Sequence, residues 1–122
     1  MAVGRELLYP GQKSNIYGVT KSARCHARDF IEDLSPVEQK KVNRLLLRAA
    51  NSGPIWNEQK SKYIKDDILE FKSKQIRLFY FYDRSDIILT HGWIKKANRP
   101  REYNEQIKKA CQLRQDYHLG GG

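Results

Sequence analysis

The chain has 122 residues, 39% hydrophobic and 30% charged, with 23 Lys and Arg against 14 Asp and Glu, a formal charge of +9. That size suits one domain with one modest core, which excludes a deep cofactor chamber, and the composition excludes a disordered chain. The basic excess points to a polyanionic partner, nucleic acid or an anionic surface. Its distribution is uneven: residues 1–70 carry 12 basic and 9 acidic side chains, residues 71–122 carry 11 and 5. A phosphate-binding surface is therefore expected in the C-terminal half.

Residues 1–14, with Pro10-Gly11, read as an irregular lead-in. Met1 to Pro10 lack the apolar core of a secretory signal, no stretch is apolar enough to span a membrane, and the expected location is cytoplasmic. Asn15 to Val19 suggest a short strand. A helical period follows, with Ala23, Ala27, Phe30, Ile31 and Leu34 on one face. Ser35-Pro36 starts a second helix, with Ser35 as N-cap, Pro36 in the first turn and Glu38 completing a capping box. Val42, Leu45, Leu46, Ala49 and Ala50 form its apolar stripe, and Asn51-Ser52-Gly53-Pro54 stops it. The short connection predicts an antiparallel helical hairpin.

Trp56 to Lys65 read as a polar loop. Ile68–Lys72, Ile76–Tyr82 and Ile87–Ile94 are rich in β-branched and aromatic residues and predict a three-stranded antiparallel meander, with Ser73-Lys74 and Asp83–Ser85 as turns. Arg101–Tyr117 predict a closing helix after Pro100, packing through Tyr103, Ile107, Ala110, Cys111, Arg114 and Tyr117. The expected fold is α+β: an N-terminal helical hairpin packed on a small antiparallel sheet, with a C-terminal helix, and helices against one sheet face. Residues 15–119 form the single domain, and Gly120–Gly122 a flexible tail.

Strand alternation places Arg77, Phe79 and Phe81 on one side of the middle strand. With Ser73-Lys74 as a two-residue turn, Glu70 stands opposite Arg77. Two readings stay open: an ordinary cross-strand ion pair, and a phosphate ligand whose fixed fork of donors is oriented by Glu70. Trp93, Lys95, Lys96 and Arg99 follow at the end of the last strand. Trp93 either stacks a base or packs against the closing helix. Lys95 and Lys96 point apart in an extended chain, so one can face a phosphate.

Other chemistry is sparsely provided for. His26, His91 and His118 have no metal-ligand spacing with Cys25 and Cys111, and no metal or cofactor is expected. There is no glycine-rich phosphate loop and no nucleophile elbow. Asp66-Asp67 suits a solvated turn. His91 suits proton transfer near neutral pH, or a buried place in its strand.

The ordered runs Ile68-Leu69-Glu70-Phe71-Lys72, Ile76-Arg77-Leu78-Phe79-Tyr80-Phe81 and Ile88-Leu89-Thr90-His91-Gly92-Trp93-Ile94-Lys95-Lys96 resemble the RelE/ParE superfamily, and within it the HigB-like toxins. Those carry a Glu-Leu-Arg strand, an Arg-hydrophobic-hydrophobic-Tyr strand and a His-Gly-Phe-x-Lys-Lys segment in this order. The closing helix, ending Ala110 to Tyr117, extends the likeness over about Ser14 to Tyr117. Lys72 replaces the usual Arg, Trp93 the usual Phe, and Ala97-Asn98-Arg99-Pro100 a longer Thr-x-Lys-Thr-Pro.

The resemblance implies a type II toxin: a ribosome-dependent endoribonuclease that cuts mRNA without a metal and is neutralised by a protein antitoxin, often with a helix-turn-helix. Arg77, Lys72, Lys95 and Lys96 carry over as catalytic positions and His91 as a possible base; beside them, the residues themselves suggest Trp93 and Arg99 as RNA contacts and Glu70 as orienting Arg77. The rival readings are a ParE-like toxin acting on DNA gyrase and a non-catalytic nucleic-acid-binding domain.

Overall fold

The computed structural model describes residues 2–97 and 99–120. The chain opens with three strands, β1 (Val3–Tyr9), β2 (Ile16–Lys21) and the two-residue β3 (Arg24–Cys25). Helices α1 (His26–Glu32) and α2 (Pro36–Ser52) follow. Next come β4 (Ser61–Lys65), β5 (Ile68–Ser73), β6 (Ile76–Asp83) and β7 (Asp86–Ile94), and the last helix is α3 (Pro100–Leu119).

The sheet has the order β1-β2-β7-β6-β5-β4, with β3 beside β2. All neighbours are antiparallel except β2 and β7, where Ile16, Tyr17 and Gly18 align with Ile87, Ile88 and Leu89. This corrects the expected fold in three respects. The helical hairpin is not N-terminal, because three strands precede it. The sheet is seven-stranded and mixed, not a small antiparallel meander. Helices cover both faces: α1 and α2 bury one, α3 the other.

The sequence of β6 explains those two layers. Ile76, Leu78 and Tyr80 join Val42, Leu45, Leu46 and Ala49 of α2 on one side; Phe79 and Phe81 join Ile107, Ala110, Leu113 and Tyr117 of α3 on the other. A strand buried on both faces carries large apolar groups at almost every position.

Local chemistry sets the boundaries. Ser35 Oγ accepts from the Glu38 amide while the Glu38 carboxylate accepts from the Ser35 amide, so two otherwise unmatched donors of α2 are satisfied. Gly53, at φ +88°, ends α2 in a conformation that favours glycine. Helix α1 starts later than its periodicity suggests, because Ser22 and Ala23 both have positive φ and form the turn between β2 and β3. Half of the expected lead-in is β1, and part of the expected loop is the edge strand β4. Gly120 of the expected tail follows α3; Gly121 and Gly122 lie outside the described residues.

Candidate nucleic-acid interface

The β5–β6 turn consists of Lys74 and Gln75, with Ser73 paired to Ile76. This moves the turn by one residue from its expected place. Lys72, not Glu70, stands opposite Arg77, and Glu70 stands opposite Phe79. Across the next interface Arg77 pairs with Trp93. Directly paired residues share a face, so Lys72, Arg77 and Trp93 form one row across three strands, on the side of the sheet covered by α3.

Arg77 is held in place. Its Nη1 donates to the carbonyls of Lys74, at 2.6 Å, and Ile76, at 3.1 Å. Its Nε lies 3.9 Å from Glu70 Oε1, and the two side chains are only 13% and 4% exposed. Tyr103, in the first turn of α3, donates its hydroxyl to Glu70 Oε2 at 3.0 Å. Burial, then the charge of Glu70, pushes the Tyr103 phenol well above its ordinary range, so it remains a donor. The ion-pair reading of Glu70 and Arg77 is thus met, as a diagonal contact and not a directly opposed pair.

A sequence reading that looks for charge and nucleophiles passes over Tyr103. The available signal is its place on the buried stripe of α3 combined with a hydroxyl, which a buried tyrosine must satisfy. Trp93 packs against it, ring centres 5.9 Å apart, and is half-buried. The packing reading of Trp93 is therefore met, while part of the ring stays accessible.

The lysines follow the end of β7. The Lys95 amide donates to the Gln75 carbonyl at 2.8 Å, which keeps this residue beside the β5–β6 turn. Lys95 is half-buried and Lys96 exposed. Arg99 is exposed just before α3 and pairs with Glu102 at 3.2 Å.

His91 stands apart from the others. A bulge sets both Thr90 and His91 opposite Phe79, because Leu78 pairs with Gly92 and Tyr80 with Leu89. The imidazole is 2% exposed, stacks on Phe79 and bonds to Gln106 Oε1 at 2.9 Å and Thr90 Oγ1 at 3.2 Å. Burial lowers its pKa to about 4, so it is neutral at physiological pH. The expectation of a substrate-facing base is corrected here: His91 fills the core between β7 and α3.

Among the described residues no three His, Cys, Asp or Glu side chains gather as a metal ion requires. No described helix is long and apolar enough to cross a membrane.

The protein is thus a small basic domain whose sheet lies between helices, with an arginine held by Glu70 and lysines near it at one end. The chain belongs to the family described as Phage derived protein Gp49-like, whose model matches residues 29–115, from α1 into α3. That family is associated with the toxins of toxin–antitoxin pairs. Strands β1 to β3 precede the matched region. No curated protein matches the chain.

Proposed function

We propose that this protein is the toxin of a type II pair and cuts mRNA on the ribosome, with catalytic charge supplied by its own side chains and with an antitoxin as its physiological partner. The observation that carries this reading is the row of Lys72, Arg77 and Trp93, with Lys95 beside the turn that Arg77 grips. Cleavage by the ribose 2′-hydroxyl forms a bond to phosphorus and breaks the bond to the 5′-oxygen. The 2′-hydroxyl loses its proton and the leaving oxygen gains one. Negative charge builds on the phosphate in between, and donors already fixed in position stabilise it without reorganising.

Arg77 suits this role through Nη2, the nitrogen not occupied by Lys74, Ile76 or Glu70. Lys72 and one of Lys95 or Lys96 add mobile charge. Tyr103 and Glu70 position Arg77, and Trp93 offers a ring edge or face to a base. His91 takes no part in this scheme.

The test is primer extension on mRNA from cells expressing the protein, compared with the Lys72→Gln/Lys95→Gln variant. New 5′ ends that fade in the variant support the proposal. Growth arrest with intact mRNA and a DNA-damage response would replace it with the gyrase reading. One observation favours a second reading, a non-catalytic RNA-binding module: most of the Arg77 guanidinium is already engaged within the protein. RNA binding without new ends would select it.

A further inference from the structure

A second concentration of positive charge lies on the opposite side of the sheet. Helix α2, the residue before β4, strand β5 and the β5–β6 turn enclose a cleft of about 360 Å³. Lys41, Arg44, Arg48, Lys60 and Lys74 line it with Leu45 and Ser73, and Lys72 of β5 borders it. No carboxylate lines it. None of these six cations pairs with Asp or Glu among the described residues, as Arg5, Lys21, Arg24, Arg28, Arg77, Arg99 and Arg114 do.

Gathering like charges costs free energy unless an anion returns it. Lys41 registers that cost, since contact with Lys74, reinforced by Lys60, makes its ammonium easier to deprotonate than usual. Lys74 reaches the rim from a left-handed backbone position, φ +54°, that a lysine adopts only at some cost.

The geometry fits a phosphodiester chain. Lys41, Arg44 and Arg48 are spaced to share one side of α2. Arg44 and Arg48, four residues apart, are separated by a rise of about 6 Å along the helix, comparable to the spacing of successive phosphates on an RNA strand. Guanidinium forks match phosphate oxygens in pairs. Lys72 borders the cleft from β5, while strand alternation puts its side chain on the α3 face beside Arg77.

We infer that the cleft between α2 and the β5–β6 turn is a second backbone-binding site, which grips RNA phosphates away from the bond being cut and meets the Arg77 row at the edge formed by β5. The inference rests on the RNA-cleaving reading for its place along the strand.

The test uses the intact protein and the Arg44→Gln/Arg48→Gln variant, neither residue being buried or paired with a carboxylate in the structure. Binding to a non-cleavable 2′-O-methyl single strand and to an RNA hairpin duplex is followed by fluorescence anisotropy across a salt series. Loss of two phosphate contacts should lower the slope of log affinity against log salt by about 1.4 on the single strand and weaken low-salt binding about tenfold. A larger effect on the single strand assigns the site to the cut strand; a larger effect on the hairpin assigns it to structured RNA nearby. Both outcomes support the site.

An unchanged slope and affinity on both RNAs overturns it, as does tighter binding of a polyglutamate peptide than of RNA at equal charge. The two readings fail separately. New 5′ ends in cells with an unaltered slope remove the cleft alone; an altered slope with no new ends removes the nuclease alone.

Discussion

Glu70 and Arg77 are two residues out of register across β5 and β6, yet their side chains meet at 3.9 Å, with Tyr103 holding the far oxygen of the carboxylate. A guanidinium opposite Lys72 thus bridges the β5–β6 turn and Glu70, and its Nη2 is what remains for a ligand. Positioning and stability are coupled in this pair.

Removing Arg77 should therefore unsettle the fold as well as any activity. Arg77→Ala leaves Glu70 buried without its cation, and a loss of about 3 kcal/mol is expected. The Glu70→Gln/Arg77→Ala double variant should recover part of it. Urea denaturation of the four proteins in the cycle measures the coupling; strictly additive losses would show that the pair is not felt. Arg77→Lys, which keeps the charge, is the better probe of cleavage.

His91 makes stability depend on pH. Its folded pKa, about 4, lies below the ordinary 6.5. The contribution from keeping it neutral is complete above pH 6.5 and is lost as pH falls toward 4, in total about 3 kcal/mol. His91→Gln should lower stability at pH 7.5 and flatten the acid limb between pH 6.5 and 4. Urea midpoints across that range decide it: parallel curves for the two proteins would sink the assignment.

Gly92 allows α1 to approach β7 closely. A Cβ built at this position would lie 2.1 Å from Cδ2 of the Phe30 ring. Gly92→Ala should cost about 1–3 kcal/mol through displacement of that ring. Phe30→Leu should cost less when combined with Gly92→Ala than when made alone. Thermal melts of the set measure this, and a neutral Gly92→Ala would mean that the helix shifts freely.

Ser35→Ala removes one half of the capping box of α2 and should destabilise by about 1 kcal/mol. Ser35→Asp should retain most of the stability, because a carboxylate also accepts from the open amides. Equal losses for both substitutions would place the effect elsewhere than the cap.

What is legible in the sequence follows from the physics of each element. The alternation of β6, the apolar stripe of α2 and its cap are readable because local pattern and tertiary environment agree. Strand β1 is hidden because Val3-Gly4-Arg5-Glu6-Leu7-Leu8-Tyr9 is a partly exposed edge with no strict alternation. Strand β4, Ser61-Lys62-Tyr63-Ile64-Lys65, is also an exposed edge and is polar enough to resemble a loop.

The site is legible in membership more than in geometry. Lys74 supplies the left-handed turn residue without the usual glycine or asparagine, so a linear reading places the turn one residue early and gives Arg77 the wrong partner. The bulge at Thr90 and His91 breaks the period of two that such a reading assumes. The basic cleft joins residues from helix, strand and turn, and only folding brings Arg48 near Lys60 and Lys74.

The parallel seam between β2 and β7 joins Ile16–Gly18 to Ile87–Leu89, some seventy residues later in the chain. During synthesis the Ile16–Gly18 end of β2 must wait uncovered on this edge until β7 has left the ribosome. Trp93 and its cationic neighbours cannot assemble before that strand arrives. On the proposed reading, a nascent copy stays harmless to the machine that makes it until this late zipping is done.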